Sequence, residues 1–175
     1  MIRLSSPLTA AAIRRAVRHT LRFYSRLSVS PDDCVSVARA IRTGNGAQLK
    51  ALLGQAAATY SSLDCNPSGF VIGFPSPSHS FEICISTTVS AKRLNALHLR
   101  MAAAAILPVH VTINRCPLYA WAVARAARAG HDPALWRFIA LKTPRLQAVC
   151  GDRSSIVFVL RLPNDVMIVH QIFVR

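Results

Sequence analysis

The side chains with the greatest chemical potential and fewest obvious partners in this sequence are its basic ones. Arg39 and Arg42, Lys92 with Arg93 and Arg100, Arg125 with Arg128, and Arg137 near Lys142 and Arg145 recur on the polar faces of several predicted helices. Guanidinium groups so placed can fork onto phosphate oxygens, and few carboxylates lie near enough in sequence to occupy them. A solvated basic face produces the same pattern, because the groups are distributed among helices rather than gathered in one run.

Residues suited to bond-making chemistry are scarcer. Glu82 is the single glutamate, and Asp32, Asp33, Asp132 and Asp165 sit where helix caps or turns account for them. No paired carboxylates, phosphate-cradling glycine loop or H-E-x-x-H run is present in the sequence. His98, His110 and His170 could meet Cys84, Cys116 or Cys150 in three dimensions and form a nucleophilic pair. Histidines set among apolar residues are more often packed and hydrogen-bonded. The five cysteines, at 34, 65, 84, 116 and 150, have no C-x-x-C spacing, so they read as free thiols and not as a zinc knuckle or redox dithiol. No cofactor or metal is expected.

The charge has a second pattern. No acid precedes Asp32, whereas Arg3, Arg14, Arg15, Arg18, Arg22 and Arg26 do. As a helix, 10–24 gathers Arg14, Arg15, Arg18 and Arg22 on one side, with Ala10, Ile13, Val17 and Tyr24 roughly opposite. An acid-free, arginine-rich amphipathic helix is the mark of a mitochondrial import signal. The run Arg22-Phe23-Tyr24-Ser25 resembles a matrix-protease site. Residues 1–24 are therefore expected to be a targeting presequence, with an ordinary surface helix of a basic protein as the alternative. Removing the five arginines up to Arg22 from the 21 Lys and Arg leaves sixteen against seven acids, a surplus that calls for phosphate or acidic partners.

These groups need a scaffold. Ser30-Pro31-Asp32-Asp33 reads as a helix start, Gly44 as its end, and Ala47 to about Tyr60 as a second helix, giving a helical hairpin over 25–62. Ser61 to Ser68 reads as a linker. Residues 69–175 form the predicted α+β domain. Gly69–Phe74 and Phe81–Val89 alternate as a hairpin, and Ser90 caps a helix from Ala91 to about Ile106 that Pro108 stops. Val109, Val111 and Ile113 suggest a short strand. Helices follow from Cys116-Pro117 to Ala129 and from Asp132-Pro133 to about Lys142. Strands follow at 146–149, 155–162 and 166–174, the last two apolar on both faces and hence central or covered twice. The fold expected is α+β: an N-terminal helical hairpin, then a mainly antiparallel sheet packed by about three helices. The longest apolar stretch, Met101 to Ile113, is too short to span a bilayer.

Leu118 to Ala140, LYAWAVARAARAGHDPALWRFIA, resembles one helical unit of the octotricopeptide-like and RAP-domain class of organellar RNA-binding proteins. Those units recur in tandem, and this chain has one clear copy. The resemblance implies a helical hairpin of an organellar RNA-associated kind. With the charge and the N-terminus, it leads to an expected non-enzymatic, RNA-associated structural protein of the mitochondrial matrix, as a subunit of the mitochondrial ribosome or of its RNA-processing or assembly machinery. Its expected partners are rRNA or another mitochondrial RNA and neighbouring subunits. An accessory subunit of a respiratory-chain or ATP synthase complex, its arginines meeting acidic subunits or cardiolipin, is the alternative.

Overall fold

Apolar residues at helical spacing build the first element into the interior. The computed structural model describes residues 7–54, 60–76, 81–90 and 94–175. Helix α1 (Ala10–Val29) starts at Thr9, whose hydroxyl accepts a hydrogen bond from the Ala12 amide, and buries Ile13, Val17, Phe23, Tyr24 and Leu27. The boundary expected after residue 24 falls inside this helix. Its arginines have structural contacts as well: Arg14 donates to the Asn114 carbonyl and Arg18 to the Asn114 side chain, placing positive charge at the carbonyl end of the long helix beneath.

The predicted helical hairpin is present. In α2 (Pro31–Arg42) the Ser30 hydroxyl accepts from the Asp33 amide, and Arg26 holds the Asp33 carboxylate at 2.5 Å, keeping its pKa below the ordinary value. Gly44, at φ +64°, turns the chain into α3 (Gly46–Gly54), where Leu49 and Leu53 are buried. The expected continuation towards Tyr60 crosses 55–59, outside the described residues.

The stretch expected to be a linker contains strand β1 (Ser62–Asn66), paired antiparallel with β2 (Gly69–Pro75). Asn66 accepts from the Ser68 amide and so makes the tight turn, while the half-buried Leu63 and Cys65 suffice for an edge strand. With β3 (Glu82–Val89), β4 (Leu146–Gly151), β5 (Ser155–Arg161) and β6 (Met167–Val174), these strands form one antiparallel sheet in the order β1-β2-β3-β6-β5-β4. The fold is α+β, as expected. Strands β5 and β6 are interior, but only one face is fully packed. Ile156, Phe158, Ile168, His170 and Ile172 are buried, whereas Val157, Val159, Val169 and Phe173 on the other face are half-buried.

Two further expectations differ. The helix expected from Ala91 begins instead as α4 at Ala96 and runs to Arg115, with Asn95 accepting from the His98 amide; Ser90 receives the Met167 amide from the sheet. Pro108 does not stop α4, and no strand forms at Val109–Ile113. The proline ring is exposed, whereas Ala102, Ala103, Ile106, Val109, His110 and Ile113 form a continuous buried stripe antiparallel to α1. Burial of that stripe outweighs one lost backbone hydrogen bond. Helix α4 is the one helix among the described residues long and apolar enough for a membrane span, yet here it is a core helix packed on α1, α2 and α5.

Helix α5 (Pro117–Arg128) ends at Gly130, φ +61°, and α6 (Asp132–Ala140) folds back with Tyr119 donating to the Phe138 carbonyl at 2.8 Å. The hairpin lies against β4, where a Cβ on Gly151 would stand 2.6 Å from Ala127 Cα, so only glycine allows this approach.

Candidate nucleic-acid interface

Antiparallel packing of α1 on α4 brings the end of one helix beside the start of the other, and the segment after α6 closes over the junction. The result is an open cleft of about 640 Å³ lined by Ser28, Arg100, Met101, Ala104, Ala105, Pro144 and Arg145. Arg100 and Arg145, far apart in sequence, thus share one wall-and-floor arrangement. Both are exposed, and neither forms an ion pair: among the described residues the pairs are Arg26–Asp33, Arg161–Asp165, and Arg175 with Asp64 and Glu82.

One further feature favours an anion here. The first turn of α4 holds no acidic residue, so the positive end of its dipole is uncompensated near Arg100. Pro108 has no N–H for the Ala104 carbonyl one turn earlier, so that oxygen stands at the cleft's edge as an acceptor and favours a hydrogen-bond donor, not an anion. Met101, Ala104 and Ala105 supply an apolar floor. Through Pro144 and Arg145 the cleft continues into a shallower groove of about 480 Å³ that reaches Arg161, where Asp165 already pairs with the guanidinium. A phosphodiester fits the first part, with two free guanidinium groups to fork onto it, better than the second.

The remaining predicted residues are dispersed. Arg39 and Arg42 are exposed on α2, Arg125 and Arg128 on α5, Arg137 on α6 and Lys142 just beyond it. Lys92 and Arg93 lie outside the described residues. Sequence reasoning missed Ser28 and Met101, whose place in the cleft depends on helix packing. It also missed Trp121, 50 % exposed, over whose ring the Arg125 guanidinium carbon sits at 5.1 Å from the centroid.

A second polar cluster lies in the core. The Tyr24 hydroxyl is 2.8 Å from Thr87 Oγ1, Thr87 Oγ1 is 3.0 Å from His170 Nδ1, and His170 Nε2 is 3.1 Å from His110 Nε2. Donation running from Tyr24 to Thr87, His170 and His110 satisfies every group except His110 Nδ1, which has no partner. The opposite direction orphans the Tyr24 proton too, but it gives His170 an Nδ1 proton that can serve the Ser86 carbonyl. Burial drives His110 down to about 3 and His170 well below its ordinary value, and it raises the Tyr24 phenol. The adjoining cavity is only about 10 Å³, at the lower limit for one water, so these residues act as a buried structural network.

Burial works against the thiolate at Cys34, Cys84 and Cys150. Burial pushes Cys34 and Cys84 up to about 11, and Cys34 donates to the Leu27 carbonyl. Among the described residues no three metal-ligating side chains come together. No family model, curated protein or solved structure matches this chain.

Proposed function

We propose that the protein is a non-enzymatic, RNA-associated structural component of the mitochondrial matrix, a ribosomal subunit or a part of the RNA-processing or assembly machinery. The observation that carries this reading is the cleft in which Arg100 and Arg145 face the same space with no carboxylate partner. An RNA strand lays one phosphate across these two groups, and counterions are released as it does so. The dispersed arginines of α2, α5 and α6 add long-range attraction, and the polar core network supplies rigidity in place of reactivity.

The test is sedimentation of the tagged full-length protein from solubilised mitochondria, with mass spectrometry of what travels with it. Nuclease-sensitive co-sedimentation with ribosomal subunits or their precursors supports the proposal. Nuclease-resistant co-migration with an inner-membrane complex overturns it in favour of a respiratory or ATP synthase accessory subunit, and a cytosolic location overturns the matrix assignment.

A further inference from the structure

Helix α5 presents an exposed stripe that combines apolar, aromatic and basic side chains at helical spacing. Leu118 (78 % exposed) and Trp121 (50 % exposed) lie one turn apart, followed by exposed Arg125 and Arg128. The stripe covers about 15 Å of helix. Burying an indole in a protein's own core is the ordinary outcome, and here the ring is held at the surface with a cation over it. No acidic residue occurs in α5, and the nearest in the hairpin, Asp132, accepts from the Gly151 amide.

We propose that this stripe is a stacking platform for single-stranded RNA, in which an unpaired base lies on Trp121 and Arg125 and Arg128 hold the flanking phosphates. The inference rests on the RNA reading and deepens it by naming the form of RNA bound. The charge selects a polyanion, and the flat aromatic surface selects what a polyanion offers only when its bases are unstacked. In an A-form duplex the base faces are covered by their neighbours, and an exposed indole gains nothing from them. A protein partner would use Leu118 and Trp121 but would have to supply acids for two unpaired guanidinium groups. RNA supplies both complements at once.

The experiment compares binding of an oligouridylate of about twelve nucleotides with that of an RNA duplex of equal length, by fluorescence anisotropy over a salt series, using the full chain. Trp121→Ala should weaken oligouridylate binding by about 5- to 100-fold. Its salt slope and duplex binding should stay unchanged. Trp121→Phe should recover most of the loss, and Trp136→Ala should match the wild type. Arg125→Ala with Arg128→Ala should instead reduce the salt slope. Equal oligouridylate affinity for wild type and both Trp121 variants overturns the platform while leaving the RNA reading intact, as does an equal loss on duplex. Loss of self-association in Trp121→Ala with RNA binding unchanged also overturns it, in favour of a protein contact. Failure of the wild type to bind either RNA at low salt removes the RNA reading and the platform together.

Discussion

The Nε2 atoms of His110 and His170 meet at 3.1 Å in a site from which solvent is fully excluded, joining helix α4 to the interior strand β6. Both imidazoles are neutral in the folded protein because burial opposes their charging. Their folded pKa values lie below the unfolded value near 6.5, so the unfolded chain binds more protons at acidic pH. The stability these two groups contribute is therefore complete above about pH 6.5 and is lost as pH falls below it. His19 and His98, also lowered by burial but partly exposed, add a smaller effect of the same sign. Denaturant unfolding at pH 7.5, 6 and 5 should show this decline, and constant stability over that range would contradict the neutral, buried pair.

Removal of residues 1–24 should destroy the fold. Leu8, Ile13, Ala16, Val17, Phe23 and Tyr24 are all buried, and Tyr24 anchors Thr87 through its hydroxyl. A chain beginning at Ser25 would uncover the α4 stripe and orphan the Thr87 network, each buried large side chain lost costing about 2–5 kcal/mol. That exceeds the stability of an ordinary domain. Circular dichroism of the shortened chain should show no cooperative melt, and N-terminal sequencing of the endogenous protein should find α1 retained. A cooperative melt near that of the full chain would show that α1 is dispensable.

Phe158→Ala in β5 should cost about 3–5 kcal/mol, because the ring is 3 % exposed and packs at 5.6 Å from the His170 ring in a region that cannot readily collapse. A thermal midpoint equal to that of wild type would mean that the β5–β6 hairpin is poorly packed.

Pro108→Ala should stabilise the protein by roughly 1–3 kcal/mol, restoring the Ala104 hydrogen bond and removing the ring from an exposed position in mid-helix. Chemical denaturation of the variant checks the sign, and a loss of stability would show that the proline shapes α4 in a way the core requires.

Reversal of charge in the cleft, Arg100→Glu with Arg145→Glu, should leave folding intact, since both side chains are exposed and unpaired. Under the proposed function it should weaken RNA association and lower the log–log salt slope by about 0.7–0.9 for each phosphate contact removed. Anisotropy titrations at several salt concentrations measure both, and an unchanged slope would overturn the proposed phosphate contact in the cleft.

The parts of the fold legible in sequence were those with punctuation: Ser30-Pro31 and Cys116-Pro117 at helix starts, Gly44 and Gly130 at ends, and the alternation of residue types through β3. The errors fell where tertiary packing overrode a local signal. Pro108 reads as a stop, but the stripe on α1 carries α4 through it. Asp64 and Asn66 read as linker residues because an edge strand needs burial on only one side. At the candidate site the arginines were visible as a population, yet the pairing of Arg100 with Arg145 was not, because it depends on the chain after α6 folding back over α4. Trp121 escaped notice since an aromatic at helical spacing ordinarily marks a core face.

The strand order also sets a schedule for assembly. During synthesis β1, β2 and β3 can zip together as they appear, and β4 with β5 can form a separate ribbon, yet neither piece has a partner for its inner edge until β6 emerges to lie between β3 and β5. Tyr24, among the earliest core residues made, likewise waits for the Thr87–His170 contact that β6 completes. A nascent chain therefore carries the open edge of β3 from the middle of its production, and that of β5 near the end, a state that invites wrong pairing and favours escort by a chaperone until the last strand is delivered.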